Sequence, residues 1–331
     1  MATSMTNRTN IKEDNTMKRF RKMVRLDQQT LKAKMTKVLK RYYRQVVSGD
    51  GFVYAKGNGK CPILLTAHMD TVHKETVKEI EEFENEHGTV LSSPQGIGGD
   101  DRCGIWMIYK IVTTTKYRPS ILLCEDEEIG GVGSEKFVKT GYVKDLESLK
   151  YLVELDRAND NDAVYYDCGN EDFMVYIEKT IGYKEAYGSF SDIGHLSPAC
   201  DKASVNLSCG YYKQHTLQEY VVLEEMQATL EKVKILLADS SKCKAFDYQE
   251  VVYSKWNWAS RYSNFNYSYG SSAEKALFYD EDLWRFEFDF YSINGEETYK
   301  CEAETLEEAV GTFLMKYPNV TWNSVYDYRQ Y

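Results

Sequence analysis

Short apolar segments alternate with longer apolar or amphipathic segments along the first two thirds of the chain. Four compact apolar runs have the length and composition of buried strands; they are CPILLTA (61–67), SILLC (120–124), YLVEL (151–155) and VNLSCG (205–210). Residues 104–112 (GIWMIYKIV) are apolar on all sides, which predicts a buried helix. Residues 223–237 carry one apolar stripe at helical spacing and predict an amphipathic helix. This alternation predicts a layered α/β domain with a largely parallel sheet.

The N-terminal region predicts one more amphipathic helix. Apolar residues from Leu31 to Val46 recur at spacings of three and four, and Lys and Arg fill the positions between them. Residues 1–50 hold 13 Lys or Arg against 4 Asp or Glu, a net charge of +9. A solvated helix face is the expected reading, with a transit peptide or a patch for an acidic partner as alternatives. Met17 is a candidate internal start.

The composition changes after about residue 240. Residues 241–331 contain 23 of the 45 aromatic residues, and the segment 284–290 alternates aromatic with charged residues, which predicts a half-buried strand. Asn294-Gly295 indicates a hairpin to a second strand at 299–303, and Thr305 with Glu308 could cap a following helix. We therefore expect two domains, 1–240 and 241–331, with the second a small α+β module. Its aromatic stripe is expected to be that module's core rather than a carbohydrate or peptide platform.

Composition and charge exclude several classes of protein. The 331 residues have a formal net charge of −10, so the chain after residue 50 carries −19, which disfavours a general nucleic-acid binder. No apolar run is long enough for a membrane helix, and the first residues lack the apolar core of a secretory signal. The eight cysteines form no CxxC pair and are expected to be reduced thiols, which predicts a cytoplasmic protein.

Five polar segments each follow a strand candidate or lie in a glycine-rich loop: AHMD (67–70), GIGGDD (96–101), EDEEIGGVGS (125–134), ELDR (154–157) and KQHTLQEY (213–220). Their marker residues His68, Asp100, Glu128 and Asp156 are separated by 32, 28 and 28 positions, each about one strand–helix unit. Loops at one edge of an open α/β sheet would then direct polar side chains into a common cleft.

The residue types in these loops fit two divalent metal ions. Imidazole nitrogen and carboxylate oxygen both suit zinc. Two metals roughly 3.5–4 Å apart need a bridging ligand, and a free glutamate beside them can serve as general base. With five histidines against 51 acids, such a site must rely mainly on carboxylates.

The same segments resemble the motifs of the co-catalytic zinc exopeptidase clan, which includes peptidase T, aminoacylase-like deacylases and leucyl aminopeptidase-like enzymes. LLTAHMDTV is similar to its H-x-D signature, GIGGDDRCG to its G-x-x-D-D-x-x-G loop and DEEIGGVGS to its E-E-x-G-x-x-G-S segment. ELDR and QHTLQEYV resemble its last two elements. The ordered match covers roughly residues 17–237. It implies a three-layer α/β/α sandwich with a mostly parallel central sheet.

The resemblance also implies the metal ligands. His68 and Asp156 would hold the first metal, and Glu128 and His215 the second. Asp100 would bridge the two. Zinc is the metal expected from the resemblance, with cobalt or manganese as alternatives.

Three further roles follow from the same motifs. Asp100 is preferred to Asp101 as the bridge, because the clan's bridging aspartate stands four residues before the loop glycine, here Gly104. Asp70 would orient the first histidine through its second ring nitrogen. Glu127 would be the general base. The segment 188–198 lies where related enzymes place substrate contacts, so Ser191 and Asp192 are candidates, with helix capping as the alternative.

The implied activity is hydrolysis of an amide bond, with an aminopeptidase acting on short peptides as the first expectation. A deacylase of N-acyl amino acids, with the same metals and base, is the alternative enzyme. A metal-free binding protein that retains the fold is the alternative of another class. Many clan members insert a lid or dimerisation domain between the fourth and fifth ligands, but here only 59 positions separate Asp156 from His215. We therefore expect a catalytic domain without a lid; the oligomeric state stays open, with a homo-oligomer as one option.

Overall fold

The central strands place alternate side chains in two different apolar cores. The computed structural model describes residues 15–188, 190–249, 284–292, 295–303, 309, 310, 313, 316, 317 and 325–330. Val53 and Ala55 pack into one core, while Phe52 and Tyr54 pack into the other. Burial of both faces requires helices on both sides of the sheet. The predicted three-layer α/β/α sandwich is confirmed.

The elements of the first unit, residues Met1–Gln249, are listed here in chain order: α1 (Asn15–Met23), α2 (Gln28–Tyr42), β1 (Val46–Gly49), β2 (Phe52–Ala55), β3 (Leu64–His68), β4 (Glu81–Asn85), β5 (Gly88–Ser92), α3 (Gly99–Thr114), β6 (Ser120–Cys124), α4 (Val132–Val138), a 3-10 helix (Gly141–Ser148), β7 (Leu152–Arg157), β8 (Asp162–Val164), α5 (Glu171–Ile181), β9 (Lys184–Ala186), α6 (Ile193–Cys200), β10 (Ser204–Ser208), β11 (Tyr211–Tyr212), β12 (Tyr220–Val222) and α7 (Leu223–Asp239).

The main sheet has eight strands in the order β1-β2-β6-β3-β7-β10-β8-β9. Its middle is parallel, because β3 pairs in parallel with β6 and β7, and β7 pairs in parallel with β10. His68 is level with Cys124 in the β3–β6 register. The carboxyl ends of β3, β6 and β7 therefore lie at one edge of the sheet, and the segments that follow them share that edge. A second sheet, β11-β12-β5-β4, is antiparallel.

Helices cover both faces of the main sheet. Side chains of α1, α2, α3, α5 and α7 join the larger core, which includes the fully buried Trp106. Side chains of α4, the 3-10 helix and α6 join the smaller one around Phe137. In the part of the chain that the structure describes, no helix is long and apolar enough to cross a membrane.

The buried helix predicted at 104–112 is the body of α3, and it passes very close to β7. A Cβ atom on Gly104 would lie 1.9 Å from the carbonyl oxygen of Leu155. Only glycine permits this approach. The approach sets the start of α3 beside the carboxyl end of β7.

The N-terminal helix ends earlier than the apolar spacing predicts. Asp27 caps α2 by accepting a hydrogen bond from the backbone of Thr30, and Leu31, Met35 and Leu39 are buried. Val46, the last residue of the predicted stripe, belongs to β1, where it pairs with Ala55. The prediction was wrong there because a valine at helical spacing also suits an adjoining strand.

The second unit, residues Glu250–Tyr331, contains a three-stranded antiparallel sheet of β13 (Trp284–Ser292), β14 (Gly295–Ala303) and β15 (Val325–Gln330), in the order β14-β13-β15. Phe288, Phe290 and Phe313 form a separate core. The alternating strand and its hairpin partner agree with the sequence, whereas β15 was not predicted. Asn294, Thr305, Glu308 and the segment 260–272 lie outside the described residues.

The unit boundary lies nine positions after the one expected at residue 240. Phe246 is buried in the larger core of the first unit, where its ring lies 5.1 Å from that of Phe173. Residues 241–249 therefore pack with the first unit.

Candidate metal centre

Five predicted site residues come from five separate segments of the fold. His68 is the last residue of β3, and Asp156 lies near the end of β7. Glu128 follows β6, and Asp100 stands at the start of α3. His215 occupies the turn between β11 and β12 with φ of 62°, in the left-handed region. The structure brings all five together at the carboxyl edge of the main sheet.

Asp100 stands between the two histidines. Its Oδ1 lies 2.8 Å from Nε2 of His68, which is also 3.3 Å from Oδ1 of Asp156. Its Oδ2 lies 3.3 Å from Nε2 of His215, which is also 3.1 Å from Oε2 of Glu128. One carboxylate thus serves two groups of donors, one on each oxygen.

The donor atoms fit a pair of cations. Ligand bonds to zinc of about 2.0–2.2 Å place neighbouring tetrahedral donors about 3.3 Å apart, close to several of the separations here. Among the described residues, His68, Asp100 and Glu128 form one group of clustered donors, and His68, Asp101 and Asp156 form another. Oε1 of Glu128 is buried without a hydrogen-bond partner, which is costly unless something pairs with it.

Asp101 is held by backbone groups. Its Oδ2 accepts from the backbone N–H of His68 at 3.2 Å, and its Oδ1 accepts from that of Gly104 at 2.8 Å. The second contact is the pattern of a helix cap. Because both oxygens have partners, Asp100 is the better candidate for a bridging ligand.

Asp70 connects the first histidine with the acidic loop. Its Oδ1 lies 3.1 Å from Nδ1 of His68 and accepts from the backbone N–H of Glu127 at 3.1 Å. Its Oδ2 accepts from the backbone N–H of Glu128 at 3.1 Å. A carboxylate on Nδ1 fixes the ring so that Nε2 faces the centre.

The clustered acids change one another's proton affinity. Burial, with the charge of Asp100, raises the pKa of Asp156 to about 8. Burial also raises the pKa of Glu127 well above its ordinary range, with His68 opposing and Asp156 adding to the shift. Burial would lower the pKa of His68, but the carboxylates of Asp156 and Asp70 outweigh it and raise that pKa. Protons therefore balance the negative charge here, and a cation could take their place.

Ser191 and Asp192 are both buried. The Ser191 hydroxyl donates to Glu154 and accepts from the side-chain amide of Asn206 at 3.2 Å. Asp192 occupies the N-cap position of α6 but accepts no capping hydrogen bond there. Their role as substrate contacts stays a prediction.

Three residues that the sequence did not single out hold the site in place. The Asn206 side chain accepts from the backbone N–H of Asp156 and donates to its carbonyl, at 2.9 and 3.0 Å. The Tyr211 hydroxyl donates to Oδ1 of the same aspartate at 3.2 Å. Arg102, within the matched loop, donates to the carbonyls of Met69 and Asp70. Of these three residues, only Arg102 lies within one of the motifs, so the sequence offered a reason to single out Arg102 alone.

No protein-family model and no curated protein matches the chain. Several solved structures match it. Aminopeptidase PepT of Bacillus cereus is 14% identical over 69% of this chain and 98% of its own, with a TM-score of 0.53. A tripeptidase of Staphylococcus aureus is 11% identical over 69% and 98%, with a TM-score of 0.55. An aminopeptidase of the archaeon Desulfurococcus kamchatkensis is 12% identical over 67% and 94%, with a TM-score of 0.50.

The chain has the fold of these peptidases. At 11–14% identity the likeness is one of fold, and it agrees with the fold that the resemblance to the zinc exopeptidase clan implies. Between Asp156 and His215, the described strands β8, β9 and β10 belong to the main sheet.

Proposed function

We propose that the protein is a metal-dependent aminopeptidase that removes the N-terminal residue of short peptides at a centre for two divalent ions. The observation that carries this proposal is the division of the Asp100 oxygens between His68 and His215. Peptidase-type chemistry is supported by the fold neighbours. His68, Asp156, Glu128 and His215 would complete the ligand set, with zinc expected from imidazole and carboxylate donors.

Glu127 would move the proton. Two divalent ions held by these residues would supply Lewis acidity for the scissile carbonyl and for a water molecule. The Glu127 carboxylate would take a proton from the attacking water and deliver it to the leaving nitrogen as the C–N bond breaks. The backbone N–H of Glu127 donates to Asp70, which also contacts His68, so Glu127 is held beside the ligand set.

Three exposed apolar side chains, each next to a site residue in the sequence or beside the acidic loop, favour a peptide with an apolar N-terminal residue. Ile129, next to Glu128, is 74% exposed, and Leu217, two residues after His215, is 61% exposed. Phe190 reaches the loop after the acidic pair, since a Cβ on Gly131 would lie 2.6 Å from its ring.

A paired substrate assay tests the proposal. The zinc-reconstituted full chain is given leucine anilide, which has a free α-amine, and N-acetyl-leucine, which does not. Cleavage of the anilide alone supports the aminopeptidase. Cleavage of N-acetyl-leucine alone would support the deacylase, and no cleavage together with no bound zinc would support a metal-free binding protein.

A further inference from the structure

Glu219 is a fully buried acid beside the metal centre whose role the proposed reaction leaves open. It is the glutamate of the QHTLQEYV segment, four residues after His215. Its Oε1 accepts from the backbone N–H of Asp100 at 2.9 Å, and its Oε2 accepts from that of Gly98 at 2.8 Å. Nε2 of His73 lies 2.7 Å from the same Oε2.

The N–H groups of Gly98 and Asp100 lie at the start of α3, where no helical carbonyl oxygen precedes them to accept a hydrogen bond. The first turn of a helix leaves its N–H groups unpaired, and Asp100 and Asp101 have non-helical backbone angles within α3. An unpaired buried N–H destabilises the fold. Glu219 supplies the acceptors for two of these groups and so fixes the course of the loop from Gly98 to Asp100.

The loop also passes very close to the segment that carries Glu219. A Cβ atom on Gly99 would lie 2.7 Å from Val221, 2.8 Å from Tyr211 and 3.3 Å from Oε1 of Glu219. The absence of a side chain at position 99 thus permits the contact between the Asp100 loop and the β11–β12 segment.

The two segments joined by Glu219 are those that supply Asp100 and His215. His68 and Asp156, by contrast, lie on β3 and β7, which pair directly within the main sheet. Removing the Glu219 contacts would free the Asp100 loop and the His215 turn from each other, while the strands of the first ligand group stay paired.

We propose that Glu219 is a positioning residue that sets the affinity of the second metal site, formed by Asp100, Glu128 and His215. This inference rests on the proposed two-metal function. Glu219 acts through the backbone of Asp100 and contacts no reacting atom. Loss of a residue that orients metal ligands typically weakens metal affinity about 10–100-fold.

Glu219→Gln in the full chain tests the inference. The amide keeps the shape of the side chain, but its NH₂ group cannot accept, so one of the two backbone N–H groups loses its partner. Metal-free protein is titrated with zinc by calorimetry. The expected result is a second step weakened about 10–100-fold and a first step weakened less, because His68 and Asp156 stay on paired strands.

Glu224→Gln is the matched control. Glu224 is exposed and accepts from the backbone N–H of Thr89 at 2.7 Å, away from the metal loops. It should bind both zinc ions as wild type does. If Glu219→Gln does not fold, Glu219→Asp, which keeps the charge on a shorter side chain, should show the same selective loss.

Three results would overturn the inference. Two wild-type steps in the Glu219 variants would show that the contact does not set the second site, and the two-metal function would stand. Equal weakening of both steps, with a lower unfolding temperature of the metal-free protein, would assign Glu219 to general stability. No zinc binding by the wild type would remove the proposed function and this inference with it.

Discussion

Asp70 holds the backbone of Glu127: the N–H of Glu127 donates to Oδ1 of Asp70 at 3.1 Å, and the same oxygen lies 3.1 Å from Nδ1 of His68. One side chain therefore sets the position of the expected base and the orientation of a metal ligand. Metal binding and proton transfer should depend on it together.

Asp70→Asn should weaken both functions. The amide can still accept from one backbone N–H, but it no longer supplies the charge that raises the basicity of His68. We expect zinc affinity to fall about 10–100-fold. We also expect kcat to be lower than in the wild type when zinc is saturating. Calorimetry and steady-state kinetics measure the two quantities. Wild-type zinc affinity in this variant would contradict the orienting role.

Glu127→Gln should separate binding from chemistry. The amide cannot accept the proton, so kcat should fall about 10²–10⁴-fold, or roughly 3–5 kcal/mol of barrier. Because Glu127 is not expected to bind metal, the variant should retain both zinc ions by elemental analysis. Normal turnover in the metal-loaded variant would end its assignment as the base.

The first two turns of α2 contact the start of the acidic loop. Lys32 pairs with Glu125, which is only 4% exposed, and Gln29 donates to the same carboxylate at 2.6 Å. Lys32→Ala leaves a buried carboxylate without its cation and should lower the free energy of unfolding by about 3 kcal/mol.

Urea denaturation measures this loss, and Lys56→Ala provides the matched control. Lys56 pairs with Asp145 at 2.6 Å, but its side chain is 46% exposed, so its removal should cost about 1 kcal/mol or less. An equal loss of unfolding free energy in the two variants would show that the Lys32–Glu125 pair stabilises the fold no more than the exposed pair does.

Zinc affinity should rise with pH. In the metal-free protein partial burial lowers the pKa of His215, but the hydrogen bonds that its ring donates to the Asp100 and Glu128 carboxylates dominate and raise it to about 11. The protonated imidazole predominates below that value, and zinc must displace the proton. Between pH 6 and 8, each proton released should tighten the apparent Kd about tenfold per pH unit. Calorimetry in two buffers of different ionisation enthalpy counts the protons; a Kd independent of pH would contradict the proton balance.

The grouping of His68, Asp100 and Asp156 at one edge of the sheet could be predicted from the sequence, because these residues end a strand or open a helix that has a clear apolar pattern. His68, Asp100 and Asp156 occupy the expected places for that reason. The contacts of Glu219 could not be predicted. They join its side chain to backbone groups 119 and 121 positions earlier, and the composition of neither segment indicates them.

The end of the N-terminal helix and the end of the first unit could not be predicted either. Val46 continues an apolar stripe but pairs in β1, and Phe246 lies beyond the composition change but fills the core of the first unit. Both outcomes depend on distant partners, which local periodicity does not contain. Sequence patterns here indicated several of the central strands and helices, while tertiary contacts decided where elements end.

Release of the N-terminal residue from an unblocked apolar tripeptide, before and after metal removal, tests the central claim most directly. The zinc-loaded full chain should release the residue, chelation should abolish the release, and added zinc should restore it. Release that survives complete chelation, or no release from a protein that holds two zinc ions, would contradict a metal-dependent aminopeptidase.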